Sequence, residues 1–158
     1  MTLSGRFVRV FQWIAPVLLP VLIMFGRAFF GAPLGWMLVI GLFVAPIITI
    51  AMYIPPVIVV FDRDAAAARS TRVAYNIASW VTWVAMLVVM FTLVDGGDDG
   101  VAESVLSNWG LLSAAVTDVF FVIASIVALL GWVGTIATAI IGVAQSRSPG
   151  PRVPLSAP

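Results

Sequence analysis

The sequence has no cysteine and no histidine in 158 residues, and all eight of its basic residues are arginine. Without cysteine there is no disulfide framework and no thiolate chemistry. Without histidine as well, the usual ligands of zinc, haem and copper sites are missing, and only methionine and carboxylates remain. No serine or acidic pair comes with a nameable base, so the chain is expected to be non-enzymatic and to need no cofactor. Charge is also scarce. Only 9% of residues are Asp, Glu or Arg, against about a quarter in a soluble domain. A net charge of +1 gives no electrostatic footprint for nucleic acid.

What is present is apolar. Hydrophobic residues make up 62% of the chain and the mean hydropathy is +1.14. The natural solvent for such a chain is lipid. A helical span needs about 20 apolar residues, and the hydrophobic runs predict four spans, over 10–30, 36–61, 73–94 and 116–143. The expected fold is an all-α bundle of four transmembrane helices, a single domain over 1–145, with a disordered cytoplasmic tail over 146–158 that is rich in Pro and Ser. The N-terminal run resembles a signal peptide, but it is long for that role and Arg27 sits inside the only small-residue cleavage site, so an uncleaved first span is expected.

The spans differ in kind. The first contains Pro16 and Pro20, four residues apart and on one face, so a kink is expected. The second contains Pro46, and Pro55-Pro56 is expected to end or sharply bend it. The polar, alanine-rich stretch from Asp62 to Arg72 should be helical where it leaves the membrane. The third span is regular. Asn76, Ser79 and Thr82 stack near its start and are expected to bond to neighbouring helices. Asp95 to Gly100 breaks the chain, and 101–113 reads as an amphipathic helix at the outer interface. Trp36 and Trp109 fall where an outer aromatic belt would form, and Trp13 and Trp80 lie toward the inner one.

Arginine placement sets the orientation. With four spans, one side carries Arg6, Arg9, Arg63, Arg69, Arg72, Arg147 and Arg152, and the other carries only Arg27 with four carboxylates. Positive charge stays cytoplasmic, so both ends are expected inside a bacterial inner membrane; the exclusive use of arginine fits a GC-rich bacterial genome.

The candidate residues are few. Asp118, near the outer end of the fourth span, suits either an ion path or a carboxylate favoured by the helix dipole. Arg27 falls at a similar depth, and the two form a candidate ion pair that would lock the first span to the fourth; the alternative is that Arg27 snorkels to headgroups. A small-residue seam runs through Ala124, Ala128, Gly131, Thr135, Thr138 and Gly142 at alternating spacings of four and three, for close packing inside the bundle or against another chain. Asp95-x-Gly97-x-Asp99-Gly100 opens like a calcium loop, but Leu106 stands where the bidentate Glu belongs, so no metal site is expected. The functional expectation is an accessory, assembly or interaction subunit of a membrane complex, in contact with the bilayer and with other subunits or itself. The alternative is an oligomeric transporter or channel with Asp118 on the path.

Overall fold

A computed structural model describes residues 3–96, 100 and 102–148. The chain is mostly helical. Three helices are long and apolar enough to cross a membrane: α4 (Trp36–Val59), α6 (Val73–Thr92) and α8 (Ala114–Arg147). At 1.5 Å per residue they are about 36, 30 and 51 Å long. The N-terminal helices are α1 (Leu3–Phe11), α2 (Ala15–Val21) and α3 (Arg27–Phe29), with a π turn over Leu22–Gly26 between the last two. Short α5 (Arg63–Ala68) joins α4 to α6, and a two-residue β pair, β1 (Asp95–Gly96) with β2 (Ala102–Glu103), and α7 (Val105–Asn108) join α6 to α8. Asp98, Asp99 and the tail from 149 onward lie outside the described residues.

The kink expected in the first span over 10–30 is a full break. Helices over Ser4–Phe11 and Ala15–Phe29 meet at 71°. Pro16 has no N–H, so the Gln12 carbonyl loses its helical donor and the chain turns at 12–14. Pro16 then falls in the first turn of α2, where its missing donor costs nothing. Below the break, α1 docks flat on the start of α6. Phe7 stacks on Trp80 and Phe11 meets Trp83 edge-on. The Gly5 carbonyl accepts from both the amide and the hydroxyl of Thr71. Past the break, Ala15–Phe29 is about 22 Å long, short of the roughly 30 Å hydrocarbon core.

Pro55 and Pro56 do not end the second span, because α4 runs on to Val59 with both prolines buried inside it. The Pro55 ring deprives the Ala51 carbonyl of its partner, and Trp132 Nε1 on α8 donates to that oxygen at 3.0 Å. Neighbouring helices commonly resatisfy proline-freed carbonyls in this way. The amphipathic helix expected over 101–113 shrinks to the four residues of α7. A Ser104–Ser107 capping box starts it, and Gly110, at φ +68°, follows its end. Polar Asn76, Ser79 and Thr82 are buried, but among the described residues they do not bond across helices as expected. Ser79 and Thr82 return to the carbonyls of Tyr75 and Ala78 on their own helix, while Asn76 pairs with Thr71.

The seam of α8 faces α6. A Cβ on Gly131 would come within 2.6 Å of Thr82 Oγ1 and 3.3 Å of its Cα. Ala124, Gly131, Thr135 and Gly142 are buried along the contact. Ala128 and Thr138 are half-buried, and Ala139 rather than Thr138 is enclosed. Gly134 has room, since its Cβ would lie 3.6 Å from Ala78. Gly131→Ala is therefore expected to cost about 1–3 kcal/mol by forcing the helices apart, while Gly134→Ala should be neutral or gain up to about 1 kcal/mol of helix propensity. Thermal unfolding in mild detergent, followed by tryptophan fluorescence, separates the two, and equal effects would contradict this packing.

Candidate functional site

Arg27 closes the π turn, with only 1% of its surface exposed. The wider turn inserts a residue and rotates the helix beyond it, so Met24, Gly26 and Arg27 point inward while Phe25 remains exposed. A Cβ on Gly26 would lie 2.9 Å from Met90 Sδ, so this turn presses on α6 just where the arginine enters. Arg27 Nη2 donates to the Glu103 carbonyl at 2.8 Å, and Nη1 lies 3.3 Å from Asp95 Oδ2. Nε and Nη1 have no hydrogen-bond acceptor among the described residues.

Asp95 serves two elements at once. Its Oδ2 accepts from the Gly35 amide at 2.9 Å and its Oδ1 from the Met37 amide at 3.0 Å. Gly35, at the N-cap of α4, has no side chain to do this. A carboxylate at that position satisfies orphan N–H groups and sits favourably in the helix dipole. One ion pair thus joins α3, the β pair and the start of α4. Trp109 and Asn108 close it from above by donating to the carbonyls of Phe30 and Gly31.

The expected Arg27–Asp118 pair does not form. Asp118 is exposed on α8, and the hairpin after α6 folds back to bring Asp95 to Arg27 first. In the sequence the glycine-rich acidic stretch that begins at Asp95 reads as a solvated loop, and nothing in it singles Asp95 out.

Beneath the ion pair lies a cleft of two adjoining cavities. One, of about 260 Å³, has Arg27 and Asp95 at one end. The other, of about 300 Å³, reaches Met52, Thr82 and Trp132. The two share Ile23, Ile48, Val89 and Ser125. Asp118 is not among the residues lining either one.

No family model matches the chain, and neither does any curated protein or solved structure. Its chemistry therefore has to be read from its own geometry. Among the described residues no group of three or more His, Cys, Asp or Glu side chains stands together as a metal site.

A second polar cluster closes the other end of the bundle, and no motif in the sequence announced it. Asp62 caps α5, accepting from the amides of Asp64 and Ala65. Arg72 Nε donates to Asp62 Oδ2 at 2.6 Å, and Nη2 reaches Asp64 and the Gly142 carbonyl. Arg72 Nη1 adds Gln145 on α8. A Cβ on Gly142 would lie 2.6 Å from Asp62 Oδ2, so the seam glycine makes room for this ion pair. Arg9 donates to the Ala65 carbonyl at 2.8 Å, tying α1 to the same corner. Deeper in, Tyr75 donates to Gln12 at 2.9 Å across the break in the first helix.

Burial alone would push the Asp62 carboxyl up, but the Arg72 guanidinium and the two amides outweigh it and hold the group below the usual carboxylate value. Its stabilising contribution is therefore complete above about pH 4, the unfolded value, and is lost as pH falls through the lower folded value. Acid titration of unfolding should show a steeper loss in the native protein than in Asp62→Asn, and parallel curves would remove Asp62 from the acid response. At the opposite end, Asp95→Ala strands a buried guanidinium and should cost about 3–5 kcal/mol, whereas Asp118→Ala should cost almost nothing. Removing both charges (Arg27→Met with Asp95→Asn) should restore part of the loss in denaturant titrations.

Proposed function

We propose that this chain is a non-enzymatic, four-span subunit of a membrane complex whose working surface is the groove between α6 and α8. The observation that carries the reading is the shape of that groove. Buried Ala85 and Ala124 form its floor, and Trp80, Val84, Phe120 and Ile123 stand along its walls. It measures about 560 Å³ and its lining is wholly apolar in residue type. Small residues between larger ones let a transmembrane helix approach closely, so the occupant we assign is an apolar helix of another subunit. The exposed α4, with Ile47, Ile50 and Phe43 each more than half exposed, offers large side chains and no such floor, which suits lipid.

In this reading the broken N-terminal segment supplies the first crossing, with α1 lying along the cytoplasmic interface and Ala15–Phe29 entering the bilayer. Tilted neighbours and local thinning accommodate a short crossing at modest cost. The polar cluster around Asp62 and Arg72 then faces the cytoplasm and the Arg27–Asp95 pair faces outward, as the arginine distribution favours. The enclosing membrane is proposed to be the bacterial inner membrane. The transporter alternative has less support, because it relied on Asp118 lining a path.

Two experiments test the reading. The absence of native cysteine makes single-cysteine labelling clean: Ala67→Cys should react only from the cytoplasm and Ala102→Cys only from outside, and reversed labelling would overturn the topology. A photo-crosslinking residue at Val84 should yield one discrete protein adduct in cells, while the same residue at Ile50 should yield lipid alone. Lipid alone at both positions would overturn the assignment of the groove; an adduct of twice the chain's mass would identify the partner helix as a second copy.

A further inference from the structure

The α6/α8 groove leaves the Arg27 cleft, on the other side of the bundle, without a role. Arg27 is at least nine-tenths buried, it lines the cleft, and its Nε and Nη1 have no acceptor among the described residues. Guanidinium donors withdrawn from water and left unmatched are costly. Asp95 pairs with Nη1 by charge at 3.3 Å, but its oxygens are held by the amides of Gly35 and Met37 and no hydrogen bond to Nη1 or Nε forms among the described residues. An acceptor oxygen is therefore wanted at this end. Below it the walls are hydrocarbon over the length of α8 from Phe121 to Trp132, about 16 Å by helical rise, interrupted only by Ser125 and Thr82. Exposed Ile40, Val44 and Leu129 line its sides, so the cleft opens onto the apolar surface that faces lipid. The shape and chemistry are those of a narrow, side-opening slot with hydrogen-bond donors at one end and an apolar channel below.

We propose that this cleft binds a long-chain acyl group, with a carboxyl oxygen accepting from the Arg27 N–H groups that lack an acceptor among the described residues and the alkyl tail running between α4 and α8 toward Trp132. The carboxyl oxygen comes either from a free fatty acid or from the acyl ester of a phospholipid. The two sources share the chemistry that Arg27 and the channel recognise.

The test uses the full chain reconstituted in nanodiscs with three photoreactive probes carrying a diazirine in the alkyl chain: a C16 fatty acid, a phosphatidylcholine bearing the same acyl chain, and the C16 hydrocarbon lacking any carboxyl. The fatty acid or the phospholipid should label Ile48 and Met52, saturably, with at least a tenfold preference over the hydrocarbon. Excess unlabelled palmitate should compete if the free acid is the ligand, and excess unlabelled phosphatidylcholine if the ester is. Arg27→Gln should abolish the preference but also weakens the ion pair. Ser125→Phe is the second variant, because it fills the waist shared by the two cavities and leaves Arg27 and Asp95 untouched; it should lower labelling of Ile48 and Met52 at least tenfold while the protein keeps its unfolding temperature. Labelling spread evenly over Phe43 and Ile47 without saturation would overturn the proposal. Equal labelling by the hydrocarbon, or unchanged labelling in Ser125→Phe, would do the same. Crosslinking at Val84 is read separately, so failure here leaves the partner-helix assignment standing and the reverse also holds.

Discussion

The arginine at the end of the π turn organises one whole end of the bundle. A guanidinium removed from water must be matched by acceptors nearby, and here the Asp95 carboxylate and the Glu103 carbonyl come from the segment after α6. Meeting that demand pulls the β pair over the first helix. It also delivers a carboxylate to the N-terminus of α4, which has no cap of its own. Three elements, α3, the β pair and the start of α4, are thus held together by one ion pair. The cost of such an arrangement is specificity of geometry: a buried pair stabilises only when its remaining donors are also satisfied, and Nε and Nη1 of Arg27 have no hydrogen-bond acceptor among the described residues.

Proline determines the other half of the architecture. Each proline removes a donor and releases a carbonyl, and the fold finds different uses for these gaps. At Pro16 the released carbonyl becomes a break, and the chain turns by 71°. At Pro55 the helix persists, because Trp132 reaches across from α8 and takes the Ala51 oxygen. Tyr53 donates to the Trp13 carbonyl within the break, at 3.1 Å, where the turn of the chain and not a proline ring leaves the oxygen open. Side-chain donors on neighbouring helices therefore replace backbone bonds that proline has forbidden, and the helices become linked at those points. Between these links the packing of α4 is loose, which leaves the cleft between it and α8.

At the cytoplasmic end of the proposed topology, the polar groups serve a different purpose. Asp62 caps α5, pairs with Arg72 and sits over Gly142. The loop, α6 and α8 are joined at this end. Arg9 adds the amphipathic α1 to that corner through a carbonyl of α5. Charge is thus concentrated at the two ends of α6, about 30 Å apart along the helix, with the apolar length between them left for lipid and for neighbouring helices.

By itself the sequence determined the apolar character of this protein, three of the four spans expected from it as long helices, the stripe of small residues on α8 and the clustering of its arginines in a few segments. These are sums over neighbouring residues: apolar length, glycine spacing and charge in a loop are all local, and nothing distant changes them. The proline pairs also announced trouble at 16 and 55, but not its outcome, because that depended on whether a donor such as Trp132 stood within reach. Only the tertiary structure decided that Arg27 meets Asp95 and not Asp118. Both carboxylates stand in segments that follow α6, and the choice rests on a hairpin that brings Glu103, 76 residues along the chain from Arg27, to the same guanidinium. The same holds for Asp62, which reads as one more charge in a polar loop until Gly142 leaves it a place to bind Arg72.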